Sequence, residues 1–418
     1  MTAGADRHVV VVGSGGREAA LADVLSRHAR VTVTPGNPGI PGSVTTPATD
    51  LDADLFVIGP EAPLVDGLAD RLRARGGLVF GPGADGARLE GSKAWMKDLL
   101  VEAGVPTARH ATFGDPAAAL AFLDTMSAPW VVKTDGLAAG KGVVVTAELA
   151  EARDAVRSYL SGAAFGDAGR QVVIEEGLSG PEVSVLALCD GTRAVPLAPA
   201  QDFKRAFDGD DGPNTGGMGA YSPVPEVDDD LLVTVMADFV EPTIGALRAR
   251  GIDYRGVLYA GLMLTPDGPR MLEYNVRFGD PECQVVLPRV RNDLVQILAE
   301  CAAGELRTIP DFGDDAMVTV VCAAARYPAS GSTGEPIVGI EEADALEGVN
   351  VYCAGVGERD GHLVTAGGRV LDVCGRGPTI HAAREAAYRG VAAVGFEGMR
   401  YRRDIALSAS ERSSGGRR

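Results

Sequence analysis

The stretch HVVVVGSGGREAALADVLSRHAR, residues 8–30, sets the fold class. His8–Val12 is an unbroken β-branched run, the pattern of a strand buried on both faces. A glycine cluster halts it, and the residues after Arg17 take on helical periodicity. Strand, Gly-rich turn and helix open a βαβ unit. Three more short apolar runs follow, Val31–Thr34, Leu55–Ile58 and Leu78–Phe80, each closed by Pro-Gly or Gly-Pro. That alternation predicts a parallel sheet over about the first 80–95 residues. One link departs from it: PGNPGIPGSVTTPATDLDAD, residues 35–54, leaves no room for a helix.

The βαβ unit is a small part of 418 residues, of which 46% are hydrophobic, enough for several cores. Only 5% are aromatic while glycines number 55, which suits tight-looped α/β and α+β domains rather than aromatic-rich sandwiches. Lys and Arg number 39 against 57 Asp and Glu, a net charge of −18. Duplex backbones are bound through Lys and Arg, so a nucleic-acid partner is not expected. A local basic pocket for a small anion remains compatible with that surface. No apolar run reaches membrane-spanning length and no signal-peptide core is visible at the start, so no membrane partner is expected. The six cysteines show no C-x-x-C and read as buried free thiols, which fits a cytoplasmic protein.

Further along, SKAWMKDLLVEAG (92–104) predicts a helix capped by Ser92 and Gly104. WVVKTDGLAAGKGVVVT (130–146) reads strand, Gly-rich loop, strand. A helix over Glu148–Ser161 and strands at Gln171–Glu175, Glu182–Leu188 and Ala194–Ala198 follow. Residues 203–225 read as a long polar loop, then come a helix near 229–250 and strands at Val257–Leu264 and Arg270–Asn275. The last region carries strands at Ala316–Ala325, Val351–Ala354 and Val370–Cys374 and a helix at Ile380–Val394. It ends in a small, polar stretch expected to fray. The expected divisions are 1–92, 93–305 (with a lobe at 107–178), 306–410 and a flexible tail at 411–418.

Two segments carry chemistry most clearly. In the loop after Lys133, backbone N–H groups of Gly136, Gly140 and Gly142, with Lys141, could fold over a triphosphate. No GK[ST] opens a helix, so this is not a Walker A loop. In EYNVRFGD (273–280), alternate strand residues share a face, so Glu273, Asn275 and Arg277 are expected to point together. A carboxylate and an amide oxygen suit Mg²⁺ (or Mn²⁺), and Arg277 suits a phosphoryl or carboxylate group. At 13–18, Glu18 takes the place of the third glycine of a dinucleotide fingerprint. A phosphate held by Gly15, Gly16 and Arg17, or simply a tight turn, explains that loop better.

Taken together, these segments resemble the ATP-grasp ligases, and within them the phosphoribosylamine–glycine ligase (glycinamide ribonucleotide synthetase) family of purine biosynthesis. GSGGRE (13–18), PGNPG (35–39), GPEAPLV (59–65), LEGSKAWMKD (89–98) and DGLAAGKGV (135–143) carry the resemblance through the first half. AFGDAG (164–169), QDFKR (201–205), GPNTGGMGAYSP (212–223), YAGLM (259–263), RFGDPE (277–282) and GGRVL (367–371) continue it. The resemblance implies an N-terminal phosphoribosyl-binding α/β domain, a central two-lobed ATP-grasp and a small mixed β domain. It implies ATP held by Lys93, Lys133, Gly136, Gly140, Lys141, Gly142, Glu175, Leu178 and Glu182, with Mg²⁺ on Glu273 and Asn275. Glycine would lie near Lys204, Asn214, Thr215, Gly216, Gly217, Met218, Arg277 and Asp280. The phosphoribosyl part of 5-phosphoribosylamine would meet Gly15, Gly16, Arg17, Asn37, Pro60 and Glu61. Lys133, Lys141, Arg277 and Asp280 are the expected catalytic groups, in a monomer or weak homodimer. Ala19 stands where the family form carries His, and the helix missing from 35–54 is likewise a departure. Both leave open a ligase of the same lineage for another amine. A non-catalytic nucleotide-binding relative is the third reading.

Overall fold

A computed structural model describes residues 7–137, 142–162 and 170–415. The N-terminal strands β1 (His8–Gly13), β2 (Arg30–Pro35), β3 (Leu55–Ile58) and β4 (Val79–Phe80) form a parallel sheet in the order β2-β1-β3-β4. Val9 and Val11 pack with Leu21 and Leu25 of the helix Gly16–Ser26, and Val10 and Val12 with Leu64, Leu68 and Leu72. Both faces are therefore covered, which is why the run has no polar alternation. Between β2 and β3 the described helical structure is one 3₁₀ turn, Ala48–Asp50, in line with the Pro/Gly text.

The first lobe of the central region holds β5 (His110–Phe113), β6 (Trp130–Thr134), β7 (Val143–Thr146) and β8 (Val172–Glu176), antiparallel in the order β5-β8-β6-β7. Next come β9 (Glu182–Asp190) and β10 (Ala194–Pro196). The chain then forms β11 (Gln201–Asp202), β12 (Arg205–Phe207), β13 (Asp211–Asn214) and β14 (Gly219–Ser222). The predicted loop 203–225 is thus a β12–β13 hairpin plus a strand. Its Gly and Pro content hid a short local hairpin, while β14 pairs with residues 317–320, far along the chain. The second lobe is completed by β15 (Arg255–Thr265) and β16 (Gly268–Asn275), giving β10-β9-β15-β16.

In the last region lie β17 (Ala316–Ala323), β18 (Ser332–Pro336), β19 (Val349–Cys353), β20 (Val356–Arg359), β21 (His362–Gly367) and β22 (Arg369–Gly377). One sheet runs β11-β14-β17-β22-β19, so strands from the central region continue into the C-terminal region. The helix at 229–249 is continuous but widens into a π turn at Met236–Val240. Pro242 lies just beyond it and lacks the N–H that a regular turn would donate to residue 238, so a widened turn is the local solution.

The C-terminal expectation needs correction. Leu407–Gly415 is a helix, not a frayed tail, with Ala409 and Ser410 each 2% exposed against the core. Its Ser/Ala composition looks solvated, but small side chains also let a helix lie close to a neighbour. Ser92 caps the helix Lys93–Ala103 by accepting from Trp95 N at 3.1 Å, and Gly104 closes it at φ 68°. All six cysteines are free and buried. Among the described residues no helix is long and apolar enough to cross a membrane.

Candidate active site

Lys133 leaves β6 toward a cavity of about 980 Å³ between the two lobes. Its Nζ lies 2.8 Å from Glu175 Oε1 on β8, whose other oxygen is 2.9 Å from Lys97 Nζ. Lys97 is 0% exposed and also donates to Thr107 Oγ1 at 2.8 Å. A buried ammonium must be paired, and burial still pulls Lys97 down to about 8 against the pull of Glu175. Burial alone would raise the Glu175 carboxyl, yet Lys133 and Lys97 hold it below its usual value. Two ammoniums share one carboxylate, leaving a net positive wall at the cavity. Leu178 and Glu182 line the same space. Sequence reading missed Lys97, four residues and so one helical turn after Lys93, because no local cue shows which lysine is buried.

A second cavity of about 680 Å³ adjoins it. Asp202, Lys204, Asn214, Thr215 and Glu273 line both, so the two spaces meet at these side chains. Lys204 Nζ is 2.8 Å from Glu182 Oε2. Burial alone would raise the Glu273 carboxyl, but Lys204, Lys133, Lys93 and Arg277 outweigh it and keep the group ionised. Asn275, at the end of β16, opens on the same cavity and accepts from Arg277 Nη2 at 3.1 Å. A carboxylate held charged and an adjacent amide oxygen form a hard, oxygen-only pair that fits Mg²⁺. Asp202, absent from the sequence expectations, is raised to about 7 by burial, with Glu282 and Glu182 adding to it.

The far side of the smaller cavity is ionic. β16 ends at Asn275, so Arg277 lies past the strand rather than on its face, yet it faces the same cavity. Its guanidinium reaches Glu90 at 2.8 Å and Glu61 at 3.3 Å. Asp280 is 3.0 Å from Arg369 Nη2. Burial would raise Asp280, but Arg369 and Arg17 keep it below the usual range. Arg17 pairs with Glu18 at 2.6 Å, and it lines the cavity with Pro60, Glu61, Lys93, Gly142 and Gly216.

Several expected residues lie elsewhere. Met218 is 0% exposed and lines neither cavity, so its side chain serves the core. Gly217 sits at φ 109° with Pro281 against it, a turn that only glycine adopts without strain. Asn37 is buried and donates to the carbonyls of Ser14, Cys353 and Ala354, tying loops together rather than facing the cavity. Gly15 and Gly16 lie behind Arg17, outside both cavity linings. Gly136 is off both linings too, its carbonyl accepting from Lys93 Nζ at 2.8 Å. Gly140 and Lys141 fall outside the described residues. Ala19 is buried in a core with Leu21 and Val24 rather than turned to the cavity.

Family models match in chain order. The phosphoribosylglycinamide synthetase N domain matches residues 7–90, the ATP-grasp (A) domain 91–283 and the C domain 317–408. A phosphoribosylamine–glycine ligase from Caulobacter vibrioides is 48% identical, covering 96% of this chain and 98% of the relative. The crystal structure of a phosphoribosylamine–glycine ligase from Thermotoga maritima superposes with a TM-score of 0.86 at 36% identity, covering 96% of this chain and 100% of that one. The biotin carboxylase domain of a Hydrogenobacter thermophilus 2-oxoglutarate carboxylase, in complex with MgADP, shares the fold at a TM-score of 0.70 and 16% identity. It covers 94% of this chain and 91% of that one.

Proposed function

The chain belongs to the phosphoribosylglycinamide synthetase family, and from that premise we propose how its own residues carry the family's reaction. It is an ATP-grasp ligase that makes the C–N bond of glycinamide ribonucleotide from 5-phosphoribosylamine and glycine, releasing ADP and phosphate. The observation that carries the residue roles is the meeting of the two cavities at Lys204, Asn214, Thr215 and Glu273.

ATP occupies the larger cavity, its adenine by Glu175–Leu178, its ribose by Glu182 and its phosphates near Lys133, extending toward Lys93 on the smaller cavity. Mg²⁺, held by Glu273 and Asn275, would supply charge neutralisation on the phosphate oxygens. Glycine lies at the junction, its carboxylate facing Lys204 and the Asn214–Gly216 turn. The carboxylate oxygen attacks the γ-phosphorus as the β–γ bridging bond breaks, giving an acyl phosphate and ADP. Two anions must approach each other, so Lys133 and Lys204 are needed for screening and alignment. The amine of 5-phosphoribosylamine, entering past Arg17, Glu61 and Asp280, then attacks the acyl carbon. The C–O bond to phosphate breaks and the nitrogen loses a proton, which Asp202, a raised carboxyl lining both cavities, is suited to accept. Arg277 is already balanced by Glu90 and Glu61, so it shapes this wall and orients Asn275. Six free, buried thiols support a cytoplasmic setting.

The test is ADP release with purified protein, omitting one substrate at a time. Release should require glycine, and hydroxylamine in place of the amine should yield glycine hydroxamate. ADP release that ignores glycine would overturn the assignment.

A further inference from the structure

Asp372 on β22 is 1% exposed and comes from the C-terminal region, yet it reaches the other two parts of the molecule. Its Oδ2 lies so close to Gly16 that a Cβ there would sit 1.7 Å from it. The same oxygen accepts from Gln284 Nε2 at 2.9 Å, and that nitrogen also donates to Asp280 Oδ1 at 2.8 Å. One amide NH₂ thus bridges two carboxyl groups, fixing which end of Gln284 faces them. Asp372 Oδ1 and Gln284 Oε1 are both buried and without a partner. A carboxylic acid and a primary amide pair through two parallel hydrogen bonds. One of them is present here, and the two oxygens left unpaired, Asp372 Oδ1 and Gln284 Oε1, are the pair that the second would join once Asp372 carries a proton.

We propose that Asp372 works as a neutral carboxylic acid that donates to Gln284 Oε1, and that this pairing positions Asp280 and the Gly15–Arg17 loop for the amine substrate. The inference rests on the acceptor-side reading above. It makes Asp372 a positioning residue, since it touches neither cavity. The charged and titratable groups around it agree. Asp280 and Arg369 face it from the substrate side, and the thiols of Cys322, Cys353 and Cys374 lie within its field. From the N-terminal loop the uncharged Gly16 touches it, while Arg17 faces Asp280. Burial, then the Asp280 charge, push Asp372 up to about 7 despite Arg369. A carboxyl raised in the folded state contributes stability that is full below its unfolded value and fades as pH rises through about 7.

Asp372→Asn holds the neutral form at every pH: its Nδ2 can donate to Gln284 Oε1 as the acid proton would, and it cannot ionise. Dividing variant by wild type at each pH cancels the titration of the substrates. The ratio of kcat/KM for 5-phosphoribosylamine should rise by about threefold or more from about pH 6 to pH 9, while the ratio for ATP stays flat. The melting-temperature gap, variant minus wild type, should widen over the same range. Asp372→Ala should raise KM for 5-phosphoribosylamine about tenfold. In the wild-type minus Asp372→Asn infrared difference, where the Asp202 contribution cancels, a carboxylic-acid band should fade as pH rises through about 7. A flat ratio with a flat melting gap, or no such band, overturns the proposal. Wild-type turnover is the control, because its absence would sink the family reading instead.

Discussion

Glu273 shows how one residue's surroundings decide its chemistry. Three lysines and Arg277 keep its carboxylate charged inside a closed site, where a neutral acid could not hold a cation. Glu273→Gln keeps the volume and removes only the charge. We expect kcat to fall by about 100-fold or more at any Mg²⁺ concentration, with a modestly lower melting temperature in the absence of metal, because a carboxylate held below its usual value stabilises the fold. Near-normal turnover at saturating Mg²⁺ would remove Glu273 from the metal role. Asp202→Asn should likewise lower kcat by about 100-fold while moving KM for ATP little, because Asp202 stands where the two cavities meet, away from the residues proposed for adenine and ribose. A change in KM for ATP alone would make Asp202 a nucleotide contact. Glu273 and Asn275 were legible because strand alternation and ligand type are local properties of sequence. Lys97, Asp202 and Asp372 were not, because each acquires its role from burial beside groups far away in the chain.

At the scale of elements, capping residues could be read and long-range pairing could not. Ser92 and Gly104 bound their helix where the sequence put them, since each acts through its own backbone neighbours. The β12–β13 hairpin and the C-terminal helix were read as loop and tail because their order comes from distant partners. Ser92 also does more than cap. Its hydroxyl donates to Asp135 Oδ2 at 3.2 Å, and Asp135 Oδ1 accepts from Ala94 N at 3.1 Å. The helix start therefore anchors Asp135 and Gly136, where the segment after β6 begins. Ser92→Ala should cost about 1 kcal/mol of stability and raise KM for ATP a few-fold. Denaturant unfolding and ATP titration measure both. Lost stability with an unmoved KM would confine Ser92 to the helix.

The molecule as a whole is unevenly tied together. The first lobe packs its own core from Trp130, Val132, Val156, Tyr159, Ile174 and their neighbours, apart from the two larger cores that bind the other regions. Its described links to the body are few and polar. Met271 N donates to Pro106 O at 2.8 Å, Glu175 pairs with Lys97, and Asp135 and Gly136 meet the helix at Ala94 and Lys93. A unit with a separate core and a polar seam opens more readily than a fused one. The nucleotide cavity lies along that seam, so ATP gains contacts on both sides only when the lobe is docked. Ligand at 100 times its dissociation constant stabilises the docked form by about 2.7 kcal/mol, or roughly 100-fold in its opening equilibrium. Hydrogen exchange by mass spectrometry should therefore find β5–β8 exchanging faster than β9 and β15 in the free protein. Saturating MgATP should slow β5–β8 by up to about 100-fold and leave the sheet of β17, β19 and β22 nearly unchanged. Equal protection across all sheets would mean that the lobe is rigidly fused, and closure of the site would then have to come from the loops alone.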